Sequence, residues 1–172
     1  MGLESPYDVV IEPWNPNHTN FEERLRGVVA VAKDSMISPW SFKDFRDVFS
    51  GRSAVGTVAI RGDEIIAYAV LYLRKNGIEI CDLCVKQNFR RTGIASDVLG
   101  YIVTKALTTS VRKLNVQAVV RETNLAAQLF LKSKGFKCTQ ILPSHYEDTQ
   151  EPAYSMVLHI RPSVKPKRTK QA

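Results

Sequence analysis

Cysteine is scarce in this sequence, with three residues in 172, an odd count that argues against a disulfide framework and suits a reducing compartment. Cys81 and Cys84 keep a C-x-x-C spacing. They fall in a strand-like segment, where residues three apart are expected on opposite faces, so neither a shared metal nor a redox pair is expected. Cys138 has no His or Cys close to it in sequence, and packing is the favoured role for all three. Long apolar runs are also missing. The longest, such as Ile65 to Leu73, fall well short of the roughly 20 residues that span a bilayer. The acidic, Pro-containing N-terminus shows no signal-peptide pattern. These absences predict a soluble, cytoplasmic protein with no membrane partner.

Acidic residues are missing from the C-terminal end. Arg161, Lys165, Lys167, Arg168 and Lys170 supply five of the seven net positive charges, so the body is nearly neutral. A Pro-rich, Lys-rich end with almost nothing apolar is expected to stay unfolded. Its bland role is solubility; the sharper one is a weak contact with an anionic partner such as RNA. The remaining 44% apolar content is enough for one core. The expected organisation is a single domain over 1–160 and a basic tail over 161–172.

Along the chain, residues 7–12 read as a strand that Pro13 closes. Phe21, Leu25, Val28, Val29 and Ala32 recur at helical spacing, which predicts an amphipathic helix over 20–33. Ser41 is a candidate N-cap for a short helix through Phe45 and Val48. Strands are expected over 55–60 and 64–73, joined by the turn Arg61-Gly62-Asp63, and over 78–85 after the Asn76-Gly77 turn. A basic stretch then leads to Gly93 and a long helix from about Ile94 to Ser110. A strand over 116–121, a helix over 125–134 with Gly135 as C-cap, and strands over 136–142 and 153–160 follow. A polar loop around 145–152 should separate the last two.

A strand, a short basic loop and a glycine opening a long helix together make a phosphate-binding arrangement. Helix N-terminal N–H groups lack internal partners, the helix dipole favours an anion, and glycine lets the backbone approach closely. Here that arrangement is Arg90-Arg91-Thr92-Gly93-Ile94-Ala95. By itself the pattern is short and frequent by chance. Its context resembles the GNAT superfamily of N-acetyltransferases. The acyl-CoA signature Q/R-x-x-G-x-G/A falls on Arg90, Gly93 and Ala95. The downstream N-x-x-A pattern, with its Gly-Phe, falls on Asn124, Ala127, Phe130-Leu131 and Gly135-Phe136. Within that superfamily, Pro39-Trp40-Ser41 with Phe45, and Val120-Arg121 with Asn124, resemble the bacterial ribosomal-protein-alanine N-acetyltransferases.

The resemblance implies an α/β fold with a mixed, mostly antiparallel sheet of about six or seven strands and helices on both faces. It implies acetyl-CoA as co-substrate, entering between the strands at Ile80–Val85 and Val116–Arg121. Leu83, Cys84 and Val85 would line it on the strand; Arg90, Arg91, Thr92, Gly93, Ile94, Ala95 and Ser96 would hold its pyrophosphate. Asn124, with Ala127, would orient the pantetheine or cap its helix. Trp40 and Tyr146 would select the acceptor, an amine such as a ribosomal or other protein N-terminus. The usual glutamate and tyrosine of that subfamily fall on Val119 and Leu131, so both of its proton-transfer groups are replaced.

The chemistry tolerates part of this loss. An α-amino group titrates near about 8, against about 10.4 for lysine, and a thiol near about 8.5, so both the neutral amine and the leaving thiolate are accessible near neutrality. Glu79 and Asp82 are candidate bases, expected on opposite faces because of their odd separation. Asp82 stands in an apolar strand, where an unpaired carboxylate is costly. Tyr146 is the first candidate acid, with His145 beside it; His18 and His159 read as structural or exposed. Two other function classes fit parts of the sequence: a non-catalytic acyl-CoA-binding regulator, and a basic RNA- or ribosome-associated module.

Overall fold

A computed structural model describes residues 8–17, 19–51, 53–109 and 114–161. His18 and the tail beyond Arg161 lie outside the described residues. The elements run β1 (Val9–Trp14), α1 (Phe21–Ser35), α2 (Phe42–Ser50), β2 (Ala54–Arg61), β3 (Glu64–Arg74), β4 (Gly77–Val85), a 3-10 turn (Gln87–Phe89), α3 (Ile94–Thr109), β5 (Leu114–Arg121), α4 (Leu125–Ser133), β6 (Lys137–Tyr146) and β7 (Glu151–Ile160). The seven strands form one sheet in the order β1-β2-β3-β4-β5-β7-β6. Only β4 and β5 run parallel.

Each face of the sheet has its own core. On one, α1 and α2 bury Trp14, Leu25, Val28, Phe45 and Phe49 against Val58, Tyr68 and Val70. On the other, α3 and α4 bury Val98, Ile102 and Leu131 against Ala67, Ala69, Val116 and Met156. Tyr68 and Val70 therefore face α1, and Ala67 and Ala69 face α3, the period-two alternation of a strand covered on both sides.

Local chemistry sets the element ends. Ser41 accepts from the Asp44 N–H at 3.2 Å while the Asp44 carboxylate accepts from the Ser41 N–H at 2.7 Å, a capping box that starts α2. Gly135 takes φ +89° and lets the Phe136 N–H return to the Leu131 carbonyl, closing α4 as expected. Pro13 does not close β1. The strand continues to Trp14, with Pro13 opposite Thr57, because β1 is an edge strand and needs no N–H on its outer side.

The expected loop at 145–152 is shorter than the sequence suggested. β6 runs on to Tyr146 and β7 begins at Glu151, so Tyr146 closes a strand. Among the described residues no helix is long and apolar enough to cross a membrane.

Candidate functional site

The parallel contact between β4 and β5 is short. Gly77, Ile78, Glu79 and Ile80 pair with Asn115, Val116, Gln117 and Ala118. Beyond them β4 runs five residues further and β5 three, with no register between them. The strands diverge into a wedge that is open at their C-terminal ends. Gly77 pins its closed end: a Cβ there would stand 2.9 Å from the Asn115 carbonyl carbon and 3.1 Å from its nitrogen, so only glycine permits this approach.

A β-bulge begins the divergence. On β3, Leu71 pairs with Ile80 and the adjacent Val70 with Asp82, so Cys81 is the extra residue. This overturns the expectation that Glu79 and Asp82 point to opposite faces. Glu79 lies opposite Tyr72, and Asp82 opposite Val70; both partners belong to the α1 side, and so do the two carboxylates. Cys81 and Cys84 likewise both pack on that side, again against the opposite-face expectation. Both are free thiols, and burial pushes them up, to about 12 and about 11 respectively. No metal-ligating cluster occurs among the described residues.

The open end of the wedge leads into the basic turn. Arg91 and Gly93 take φ of +65° and +97°, and α3 starts at Ile94. The Ser96 and Asp97 N–H groups bond to the Gly93 carbonyl, while the Ile94 and Ala95 amides precede any helical acceptor. The space where a Gly93 side chain would sit is open.

The two arginines divide in role. Arg90 turns inward, donating to the Val85 carbonyl at 3.2 Å and the Ser35 carbonyl at 2.8 Å. Arg91 is exposed with no side-chain partner among the described residues. The Thr92 hydroxyl donates to the Phe89 carbonyl at 2.6 Å. From α1, the Asp34 carboxylate accepts from the Gln87 N–H at 3.0 Å, and Ser35 donates to the Val85 carbonyl at 3.3 Å. The Gln87 amide holds the Asp34 carboxyl below its usual value, against burial, with Ser35, Lys86 and Arg90 assisting. The turn is thus clamped to the end of α1. Asp34 and Ser35 were not singled out in the sequence, since partners 50 residues away leave no local pattern.

Two acid-base groups flank the wedge. Inside, the fully buried Tyr68 hydroxyl donates to Asp82 at 2.6 Å. Burial raises the Asp82 carboxyl, while the Tyr68 hydroxyl and the Leu83 amide lower it. Burial and the Asp82 charge push the Tyr68 phenol far above its ordinary range, so it stays a donor. Tyr68 was also unforeseen; it is one of two tyrosines, with Tyr72, in an apolar run, and nothing local tells which of them meets Asp82. Glu79, by contrast, is paired with Arg74 at 2.8 Å near the closed end.

At the C-terminal end of β5, Tyr146 stacks on the Arg121 guanidinium, 3.6 Å from carbon to ring centre. Asp148 and Glu151 hold Arg121 at 3.0 and 3.1 Å. Burial raises the half-buried Tyr146 phenol, with Arg121 opposing. The His145 ring meets Tyr146 edge-on at 5.0 Å. Asn124 caps α4, accepting from the Ala127 N–H at 3.1 Å. Trp40 is half-buried and edge-on to Phe45 at 5.3 Å, at the margin of the α1 core. His159, on β7, is exposed beside Asn115 at 2.8 Å.

Residues 25–136 match the Acetyltransferase (GNAT) family. The chain belongs to this family. Solved structures agree on the GNAT fold. The ribosomal-protein-S18-alanine N-acetyltransferase from Escherichia coli is 20% identical, with a TM-score of 0.76 over 92% of this chain and 97% of that one. Ard1 from Thermoplasma volcanium is 20% identical, with a TM-score of 0.75 over 89% and 98%. Arabidopsis thaliana NAA60 in complex with acetyl-CoA is 22% identical, with a TM-score of 0.70 over 88% and 98%. No curated protein matches the chain. In this GNAT chain Val119 pairs with Ser155 on β7, and Leu131 is 4% exposed inside the α4 core.

Proposed function

We propose that this GNAT chain moves acetyl from acetyl-CoA to an amine, with a protein N-terminal α-amino group as the acceptor. The observation that carries the reading is the wedge between β4 and β5 opening onto a positive-φ turn and a helix N-terminus. An extended thioester with a pyrophosphate at its far end fits that shape and charge. The fold shared with NAA60 in complex with acetyl-CoA and with Arabidopsis Naa50 in complex with a bisubstrate analogue, CoA-Ac-MVNAL, supports both halves of the reading.

Acetyl-CoA supplies the thioester carbonyl that the neutral amine attacks, forming the amide bond as the carbon–sulfur bond breaks and thiolate leaves. The amides of Gly93, Ile94 and Ala95, with the Arg91 guanidinium, hold the pyrophosphate, and Ser96, whose N–H bonds to the Gly93 carbonyl, closes the first turn behind them. Arg90 and Thr92 keep the turn in shape. Backbone N–H groups of Leu83 and Val85, on the edge of β4 that β5 leaves while Cys84 turns its N–H toward β3, hold the pantetheine and the charge developing on the carbonyl oxygen. Ala127 and the Asn124 cap place α4 beside it.

Asp82, kept in place by Tyr68, takes the proton lost by the amine. Its raised carboxyl makes it a better acceptor than an exposed carboxylate. Glu79, held by Arg74 near the closed end, is the weaker candidate. Tyr146 returns a proton to the departing thiolate, and Trp40 with the Tyr146 wall selects the acceptor. In this reading the protein works in the cytoplasm.

Calorimetric titration with acetyl-CoA, repeated on Gly93→Trp, tests the site; thiol release over alanine-starting peptides and other amines tests the acceptor. Binding abolished by Gly93→Trp, with turnover of the peptides, is expected. No binding sinks the cofactor assignment. Binding without turnover of any amine favours the non-catalytic regulator, and salt-sensitive RNA binding lost on removing 161–172 favours the basic module.

A further inference from the structure

A second, apolar opening lies away from the wedge. It is a groove of about 780 Å³ on the far side of α4, walled by α4, β6 and β7. Two strand positions separate it from the β4–β5 gap. Leu125, Leu129 and Ile141 line it at 60%, 55% and 61% exposure, with Phe136 at its floor. Three large aliphatic side chains left open in one place are uncommon on a soluble surface and mark a contact site. Lys132 and Lys137 border them, and neither has a side-chain partner among the described residues. The groove itself is lined by no carboxylate.

From this combination we infer that the groove docks an acidic amphipathic helical segment of another protein. Leu125 and Leu129 are one turn apart on α4 and present a ridge along which a second helix can lie. Strand addition to β6 is disfavoured, because β6 departs from regular register after Cys138 and again between Leu142 and Tyr146, where it carries Pro143, devices that blunt an edge. Glutamates flanking the apolar stripe would neutralise Lys132 and Lys137.

The chain's own segments fit poorly. Residues 162–172 carry four cations and no acid. Residues 1–7 carry a single acid, Glu4, too little charge to meet both lysines. A symmetric pairing of two copies through this groove would bring its ammonium groups together.

The test titrates the full chain, by backbone-amide NMR and fluorescence anisotropy, with an amphipathic peptide of roughly 16 residues bearing leucines at helical spacing and flanking glutamates, and with its lysine counterpart. Shifts confined to α4, β6 and β7, and affinity weakened at least about tenfold by Leu129→Asp, are expected. Leu129 is exposed, so this variant keeps the fold. The charge-swapped pair Lys132→Glu and Lys137→Glu should lose the acidic peptide and gain the basic one.

Equal affinity for both peptides, or shifts away from the groove, overturns the proposal. So does a concentration-dependent dimer that Leu129→Asp abolishes, which would assign the groove to a second copy. Binding of dodecanoate at these residues without the peptide would assign it to a fatty acid, also against the proposal.

Discussion

Replacing Gly77 by alanine should damage the molecule out of proportion to the single methyl added. The new Cβ would stand 2.9 Å from the Asn115 carbonyl carbon and 3.1 Å from its nitrogen, with the oxygen closer still. The obstacle is strand backbone, not a side chain that can rotate away. β4 and β5 must part by roughly 1 Å to restore contact distance, which loosens the only four pairs that join them, Ile78 with Val116 and Ile80 with Ala118 among them. Overpacking of this kind costs about 1–3 kcal/mol, and the rigid obstacle places Gly77→Ala near about 3. With a urea slope of about 2 kcal/mol/M, the unfolding midpoint should fall by roughly 1.5 M. Circular dichroism in urea measures it. Gly100→Ala, where a Cβ meets open space on α3, is the control and should stabilise by about 0.5–1 kcal/mol. A Gly77→Ala midpoint within error of the parent would refute the idea that this glycine closes the wedge.

Three further outcomes follow from the site. Burial raises the Asp82 carboxyl from its usual 3.8, so the folded state binds this proton more tightly than the unfolded one. Its contribution is present below 3.8 and is lost as pH rises through the folded value. Asp82→Asn should therefore flatten the stability-pH curve in that window and slow amine turnover; an unchanged curve would show that the carboxyl is not shifted. Arg90→Ala removes the donor to the Val85 and Ser35 carbonyls and should cost about 1–3 kcal/mol while weakening acetyl-CoA binding. Unfolding and calorimetry check both halves. Tyr146→Phe keeps the stacking on Arg121 and removes the hydroxyl, so thiol release should fall while acetyl-CoA affinity holds; a loss of affinity instead would make Tyr146 a cofactor wall.

The fold was legible in sequence because each element carried its own punctuation. Ser41, Gly62, Gly93 and Gly135 all act where turn and cap chemistry predicted, and the apolar periodicity of α1 and the long run after Gly93 placed both helices to within two residues. What could not be read was anything that depends on pairing between distant segments. The bulge at Cys81 is defined by β3, so the sequence of β4 alone suggested an unbroken alternation and the wrong faces for Glu79, Asp82, Cys81 and Cys84. Pro13 looked like a stop because its strand's edge position was unknown. Tyr146 looked like a loop residue because its neighbours, His145 through Pro152, are mostly polar. The position of the basic turn was legible down to Gly93, but Arg90 and Arg91 could not be told apart until the Ser35 carbonyl arrived from α1.

The extra residue in β4 gives its two halves opposite parity. Even-numbered Ile78 and Ile80 belong to the α3 side, and odd-numbered Leu83 and Val85 do so after Cys81. Exchanging Cys81 for another residue keeps the bulge, whereas deleting it removes the bulge and leaves every residue downstream on its own face. Without Cys81 the strand alternates regularly, with Ile80 opposite Leu71 on the α3 side and Asp82 opposite Val70 on the α1 side, and what is lost is the local bend that the extra residue gives β4 where it leaves β5. A one-residue deletion there thus spares both cores and straightens one wall of the wedge, whereas a deletion at a regular position of β4 would turn the residues beyond it to the wrong faces.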